Sequence, residues 1–252
     1  MSFPYLAALS YRAVVTEYAA ARAFHTGAKG MTEDGSEYRL CKAGAAMTSP
    51  ISAAINYHQY LTPQTGTCLE GATTVAIVDG DVTATIGDTN TRAVNFYKDG
   101  YFVIPTSTVN SSINPIWKND LGDGTSIKVY LSSPIKGALA LGATVQAYPN
   151  PWSDVRAGGA YAHGYEHFVC CPEIPVSSGY YFWGKVKGPH WSWVFGTWPG
   201  AAANDRDVVF HNGGTFRMAD ESINTAAVSN QRAGYLMFSG NYGDALLMLQ
   251  IE

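Results

Sequence analysis

Apolar and polar residues alternate over short runs through most of this chain. In TSIKVYL (125–131), Ile127, Val129 and Leu131 fall on one face and Lys128 and Tyr130 on the other, as a half-buried strand requires. EYRLCKAGAAM, TTVAIVDGDVTATIG, GYFVIPT and ATVQAYP read as further short strands. NDLGDGTS, just before Ile127, supplies Asp-Gly and two glycines for a turn with positive φ, which predicts an antiparallel pair within residues 101–131. VDGD at 78–81 predicts a second hairpin, between TTVAIV and VTATIG. Turn signals recur about every 8–12 residues, the spacing of an all-β antiparallel barrel or sandwich and not of alternating β and α units.

The N-terminal segment differs. Residues 5–24, YLAALSYRAVVTEYAAARAF, are rich in alanine and free of proline and glycine, which permits a helix, while Val14, Val15 and the tyrosines allow an extended arm. Gly27, Gly30 and Gly35 end that pattern. The expected organisation is a short helix or arm over 1–34, a β domain over 35–150 and a second β region over 151–252. The proline- and glycine-rich stretch PNPWSDVRAGGA (149–160) marks the boundary, and the two β regions are either separate or one continuous domain. The closing NYGDALLMLQIE reads as a strand tucked into the body, because its apolar density would be costly on a free tail.

Composition narrows the function classes. Of 252 residues only 14% are charged and the net charge is −4, so the basic footprint of a protein that grips a phosphate backbone is missing and nucleic acid is not an expected partner. MSFPYLAALSYRAVV has no basic n-region, and no run approaches the roughly 18 apolar residues of a membrane helix, so neither secretion nor membrane insertion is expected. Sparse charge with 26 glycines and 13% aromatics suits short strands, tight turns and a surface covered by neighbouring subunits. Cys41, Cys68, Cys170 and Cys171 form no CxxC pair, and the adjacent two cannot readily bridge each other, so all four read as reduced, partly buried thiols.

Catalytic motifs are scarce. His163-Gly-Tyr-Glu166-His167 fits H-x-x-E-H, whose chemistry needs a helix to bring both imidazoles onto one metal. Here glycines at 158, 159 and 164, Val169 and Pro172 make the segment a turn entering a strand, and residues four apart on a strand chelate one ion poorly. A structural zinc site including Cys170 or Cys171 lacks the usual loop between ligands. No nucleophile elbow, phosphate loop or dinucleotide fingerprint appears, and the Asp-Gly pairs near 79–88 and 120–124 read as turns, not calcium loops. No enzyme activity, cofactor or metal is expected.

The densest feature is SGYYFWGKVKGPHWSWVFGTWPG (178–200), with four of the chain's six tryptophans. Tyr180 and Phe182 alternate with Tyr181 and Trp183, and Trp191, Trp193 and Phe195 share one side, so rings project from both faces of a strand. A sugar platform exposes rings on one face only, whereas burial between sheets or against a neighbouring subunit covers both.

GSEYRLCKAGAAM (35–47), DGYFVIPTSTVN (99–110) with TSIKVYLSSPIKGAL (125–139), and SGYYFWGKVKGP (178–189) together resemble a family of tailed-phage virion structural proteins. In that family a GxxYRxxKAG opening, a DGYLVI strand and an SGYYFW strand recur in this order. The resemblance covers roughly residues 35–190. It departs at PTSTVNSSINPIW, where the family carries a glycine- and threonine-rich stretch. It implies a non-enzymatic capsid decoration or cement protein that bridges capsomers on the virion surface after assembly in the host cytoplasm. Its expected partners are the major capsid protein and further copies of itself, with a trimer preferred for three-fold lattice positions. The alternative is a tail or fibre module that binds host glycans through the 178–198 aromatics. Expected interface residues are Tyr5, Leu6, the Tyr11-Arg12 pair, Tyr18 and Phe24 of the arm, with Trp191, Trp193 and Trp198.

Overall fold

The computed structural model describes residues 6–20, 24–48, 52–58, 68–105, 112–158, 167–193, 206–211, 213–219, 228–239 and 244–251. They form an all-β protein of the barrel and sandwich class, its strand pairs antiparallel except for one short parallel pair. Two compact units emerge: Met1–Tyr57 together with Pro151–Glu252, and His58–Asn150. The first unit begins with β1 (Ala7–Ala8), α1 (Tyr11–Val14), β2 (Lys29–Met31), β3 (Glu37–Lys42) and β4 (Ala54–Asn56). The second holds β5 (Leu69–Ala72), β6 (Thr83–Gly87), β7 (Tyr101–Ile104), β8 (Ser112–Asn119), β9 (Ser126–Leu131) and β10 (Thr144–Tyr148). The chain then returns to the first unit for β11 (Val155–Ala157), β12 (Phe168–Cys170), β13 (Tyr181–Trp193), β14 (Asp207–His211), β15 (Phe216–Met218), β16 (Val228–Ser239) and β17 (Asp244–Gln250).

The second unit is a six-stranded sheet curled into a half-barrel. Its strands run β5-β10-β7-β8-β9-β6, and the two ends meet where Thr73 bridges Ile86 and the Thr74 amide donates to the Thr85 carbonyl at 3.0 Å. The interior is filled from every strand, with Leu69, Ile86, Phe102, Ile116, Val129 and Val145 all buried. The alternation along β9 holds, since Ile127, Val129 and Leu131 are buried while Lys128 is exposed. NDLGDGTS joins β8 to β9. Gly124 there takes φ +83°, and the Asp123 carboxylate accepts from the Thr125 hydroxyl and from the Thr125 and Ser126 amides, which lowers its pKa to about 2.

The VDGD turn forms, with Gly80 at φ +94° and the Asp81 amide donating to Val78, but TTVAIV is not a strand of the expected hairpin. Beyond Thr74 it leaves β6, and Ile77 exchanges both backbone hydrogen bonds with Leu139, each 2.9 Å. That pairing buries Ile77 and leaves Val75 and Val78 exposed.

The first unit is a sandwich. One sheet runs β1-β2-β3-β13-β17-β16-β14-β15 and the other β11-β4-β12. Their facing side chains interdigitate as packed sheets require: Ile55 and Phe168 meet Phe210, Phe216 and Leu247, while Val155 and Cys170 meet Cys41, Phe182 and Val186. Residues 37–56 thus pair with strands that follow Pro151, β3 with β13 and β4 with β11 and β12. The closing segment forms β17, an interior strand between β13 and β16.

The outer face of the large sheet carries the N-terminal arm. Ala7, Leu9 and Val14 pack on Tyr38, Leu40 and Trp183, so β13 buries Phe182 on one side and Trp183 on the other. The helix permitted by the alanine-rich segment shrinks to the single turn α1. Ser10 caps it, its side chain accepting from the Ala13 amide, and β-branched Val14 and Val15 end it. The chain after it follows β13, where Tyr18 pairs with Tyr181.

Candidate functional site: a pocket beside the arm and an apolar sheet face

On the outer face of β13, residues alternate out of the core as Trp183, Lys185, Lys187, Pro189 and Trp191. The arm covers Trp183. Next to it, Lys185 forms the floor of a pocket of about 700 Å³ bounded by Leu9, Tyr11 and Val15 of the arm and by the β2–β3 turn at Thr32, Glu33 and Asp34.

Lys185 is the centre of this pocket's chemistry. Its side chain is only 8% exposed, it is ion-paired with Glu173, and its ammonium donates to the Pro189 carbonyl at 2.9 Å. The other Glu173 oxygen accepts from the Tyr38 hydroxyl at 3.2 Å, and the ammonium sits 5.6 Å from the Tyr38 ring centroid. Burial, then the Glu173 charge, pushes the Tyr38 phenol far above its ordinary pKa, so it stays a neutral donor. The Asp34 carboxyl is held below the usual range by the Thr32 hydroxyl and by the Ser36 hydroxyl and amide. Three carboxylates (Glu33, Asp34, Glu173) against one ammonium leave a formal charge of −2 in the lining. The recess therefore favours cationic or donor-rich groups over phosphates.

Past the pocket the same face becomes apolar. Trp191, Leu246 and Phe238 stand opposite one another across β13, β17 and β16, and Pro189, Met248 and Tyr235 form the adjacent row. Residues paired across strands share a face, so these six side chains form one contiguous grid. Phe238 is 66% exposed and Trp191 47%, and Met237, at a register break beside the grid, is exposed as well.

The expected interface residues fall in different places. Leu6 and Tyr11 are exposed, Tyr11 at 76% on the pocket wall, and Arg12 is exposed on the same helical turn. Tyr18 is half-buried and its hydroxyl donates to the Ala13 carbonyl at 3.0 Å. Phe24 sets its ring edge-on to Trp183 at 5.6 Å. Trp191 belongs to the apolar grid. Tyr5, Trp198 and the Trp193 side chain lie outside the described residues. Sequence reasoning missed Lys185, Glu173 and Tyr38, although a lysine at an outward position in the aromatic run GYYFWGKVKGP is a visible signal. It also missed Tyr235 and Phe238, which no motif marks.

His163 and Glu166 lie outside the described residues. His167 is exposed, and its carbonyl accepts from the Asn56 amide at 2.9 Å as the chain enters β12. Cys170 and Cys171 enter different core clusters, so their thiols do not converge. Among the described residues no group of three or more His, Cys, Asp or Glu side chains could hold a metal. Compared with protein-family models, curated proteins and solved structures, the chain matches none.

Proposed function

We propose that this chain is a structural virion protein, a capsid decoration or cement protein that bridges capsomers by packing against the major capsid protein and further copies of itself. The observation that carries this reading is the six-residue apolar grid on β13, β17 and β16. An exposed apolar patch of this kind marks an interaction surface. A decoration protein works by adding modest buried area at many equivalent places, and multivalency converts weak contacts into firm retention on a shell under internal pressure. A homotrimer at three-fold lattice positions is the arrangement expected.

Densitometry of purified particles tests it. A copy number comparable with that of the major capsid protein supports the reading, and absence from particles overturns it. Phe238→Ser is expected to abolish co-sedimentation with empty shells while changing folding stability little, because that side chain is 66% exposed. The exposed Trp191 indole favours one competing role, a tail or fibre module that stacks on glycans. That role predicts low copy number and sugar binding lost in Trp191→Ala.

A further inference from the structure

Cys41 lies on β3 and Cys170 on β12, one in each sheet of the sandwich. Their sulfurs are 3.7 Å apart and both residues are fully buried. Gly184 makes the approach possible, because a Cβ there would fall 2.4 Å from the Cys170 sulfur. Cys171 is no competitor: its backbone exchanges two 2.8 Å hydrogen bonds with Lys185, and its side chain lies in the cluster with Phe168 and Phe210, not in the one that holds Cys41. Cys68 belongs to the half-barrel unit.

We propose that Cys41 and Cys170 are an oxidation site at which a low-molecular-weight disulfide such as oxidised glutathione installs a covalent bridge between the two sheets. The Cys170 thiolate attacks one sulfur of the reagent, forming a mixed disulfide and expelling a thiolate that takes up a proton. The Cys41 thiolate then attacks the Cys170 sulfur and expels the second reagent thiolate. Two protein thiols and one small disulfide become one cystine and two small thiols, the reagent accepting two electrons. The sulfurs must close from 3.7 Å to about 2.05 Å, a shift within reach of side-chain rotation.

The route in is β12. It is a three-residue strand at the margin of the small sheet, and its pairing with β4 breaks register between Phe168 and Cys170. Hydrogen bonds tie it at Phe168 to the Gln231 side chain and at Cys171 to Lys185, so the opening is a local one at the register break that precedes Cys170. Burial raises the pKa of the Cys170 thiol, so bridging is slow near neutrality and speeds up with rising pH as the thiolate fraction grows. The bridge joins positions 129 residues apart, which restricts the unfolded chain and raises Tm. The inference does not depend on a virion role.

The test uses the full chain, purified in reductant, desalted and held for days with oxidised glutathione at about pH 8.5, on the alkaline side of neutrality where more of the Cys170 thiol is ionised. Denatured thiol counts are expected to fall from four to two, with a Cys41–Cys170 linked peptide in a non-reducing map and a rise in Tm that reductant reverses. Cys41→Ser and Cys170→Ser each remove the linked peptide. The Cys68→Ser/Cys171→Ala double variant keeps it, so the inference remains testable if a Cys41 variant does not fold. Four thiols after prolonged incubation, a stable glutathione adduct without closure, or a bridge through Cys68 or Cys171 overturns it.

Discussion

Tyr18 and Tyr181 exchange both backbone hydrogen bonds, at 2.7 and 2.8 Å, and this single pair ends the N-terminal arm as a one-residue addition to the large sheet. Glu17 beside it accepts from the Ser177 amide and hydroxyl at 2.6 and 3.0 Å. The arm is thereby clasped to its own unit across the outer face of β13. Removing residues 1–20 is expected to expose Trp183 and Leu40, seen as a red shift in tryptophan emission and a lower Tm. Val14→Ala, at a fully buried position, should cost about 2 kcal/mol in urea unfolding.

The Lys185–Glu173 pair makes a second prediction. Lys185→Met leaves the Glu173 charge in the pocket wall without its ammonium, and Glu173→Gln leaves a nearly buried lysine without its carboxylate. Each is expected to destabilise by about 2–4 kcal/mol, because breaking a buried pair strands one charge. Lys185→Met combined with Glu173→Leu should recover most of that loss. A double-mutant cycle in urea with coupling near zero would show that the pair contributes nothing to the fold.

His190 on β13 is buried against Phe216, its Nε2 has no hydrogen-bond partner among the described residues, and burial, helped by the Lys185 charge, lowers its pKa to about 3. Above roughly pH 6.5 the imidazole is neutral in both states and stability does not depend on it. Below that the unfolded chain takes up a proton that the folded one refuses, so stability falls by about 1.4 kcal/mol per pH unit. The Asp34 and Glu37 carboxyls, with lowered pKa values, shift stability only below about pH 4.5, which leaves pH 4.5–6 to histidines: His190, and His167, whose pKa desolvation also lowers. His190→Phe is expected to reduce the slope in that window, and His167→Gln added to it to flatten what remains. An unchanged slope in urea titrations would contradict the assignment.

Gly71 sits at the seam of the half-barrel, where a Cβ would lie 2.3 Å from the Gly87 carbonyl oxygen. The obstacle is backbone, so no side chain can swing aside. Gly71→Ala is expected to cost about 1–3 kcal/mol or more and to speed amide exchange at Thr74, whose hydrogen bond to Thr85 helps hold the seam. Protection at Thr74 equal to that of the parent would mean the seam absorbs the methyl group.

The strands were legible where period and punctuation agreed. TSIKVYL alternates strictly and follows an Asp-Gly turn, and β9 occupies it with the expected face inward. The alternation YYFW required two covers, and Phe182 and Trp183 have them. Pairing partners were not legible, because no local pattern in EYRLCK or SGYYFW records that Leu40 will stand opposite Trp183. TTVAIV shows the limit of a strong turn signal. It fixed the reversal at Gly80 but not where the strand before it would pair, which Leu139 decides from far along the chain. The pocket was hidden for the same reason, since Tyr38 meets Glu173 and Lys185 only across 135 or more residues of chain.

The half-barrel is an insertion between the halves of the sandwich, and this sets a timetable during synthesis. Residues 58–150 contain every strand of their own sheet and can close as soon as they clear the ribosome. Lys42 at the end of β3 must instead wait for Tyr181. At translation speeds of about 5–20 residues per second that is a delay of roughly 7–30 s. Over that interval the nascent β3 edge is open to chaperones and to wrong neighbours.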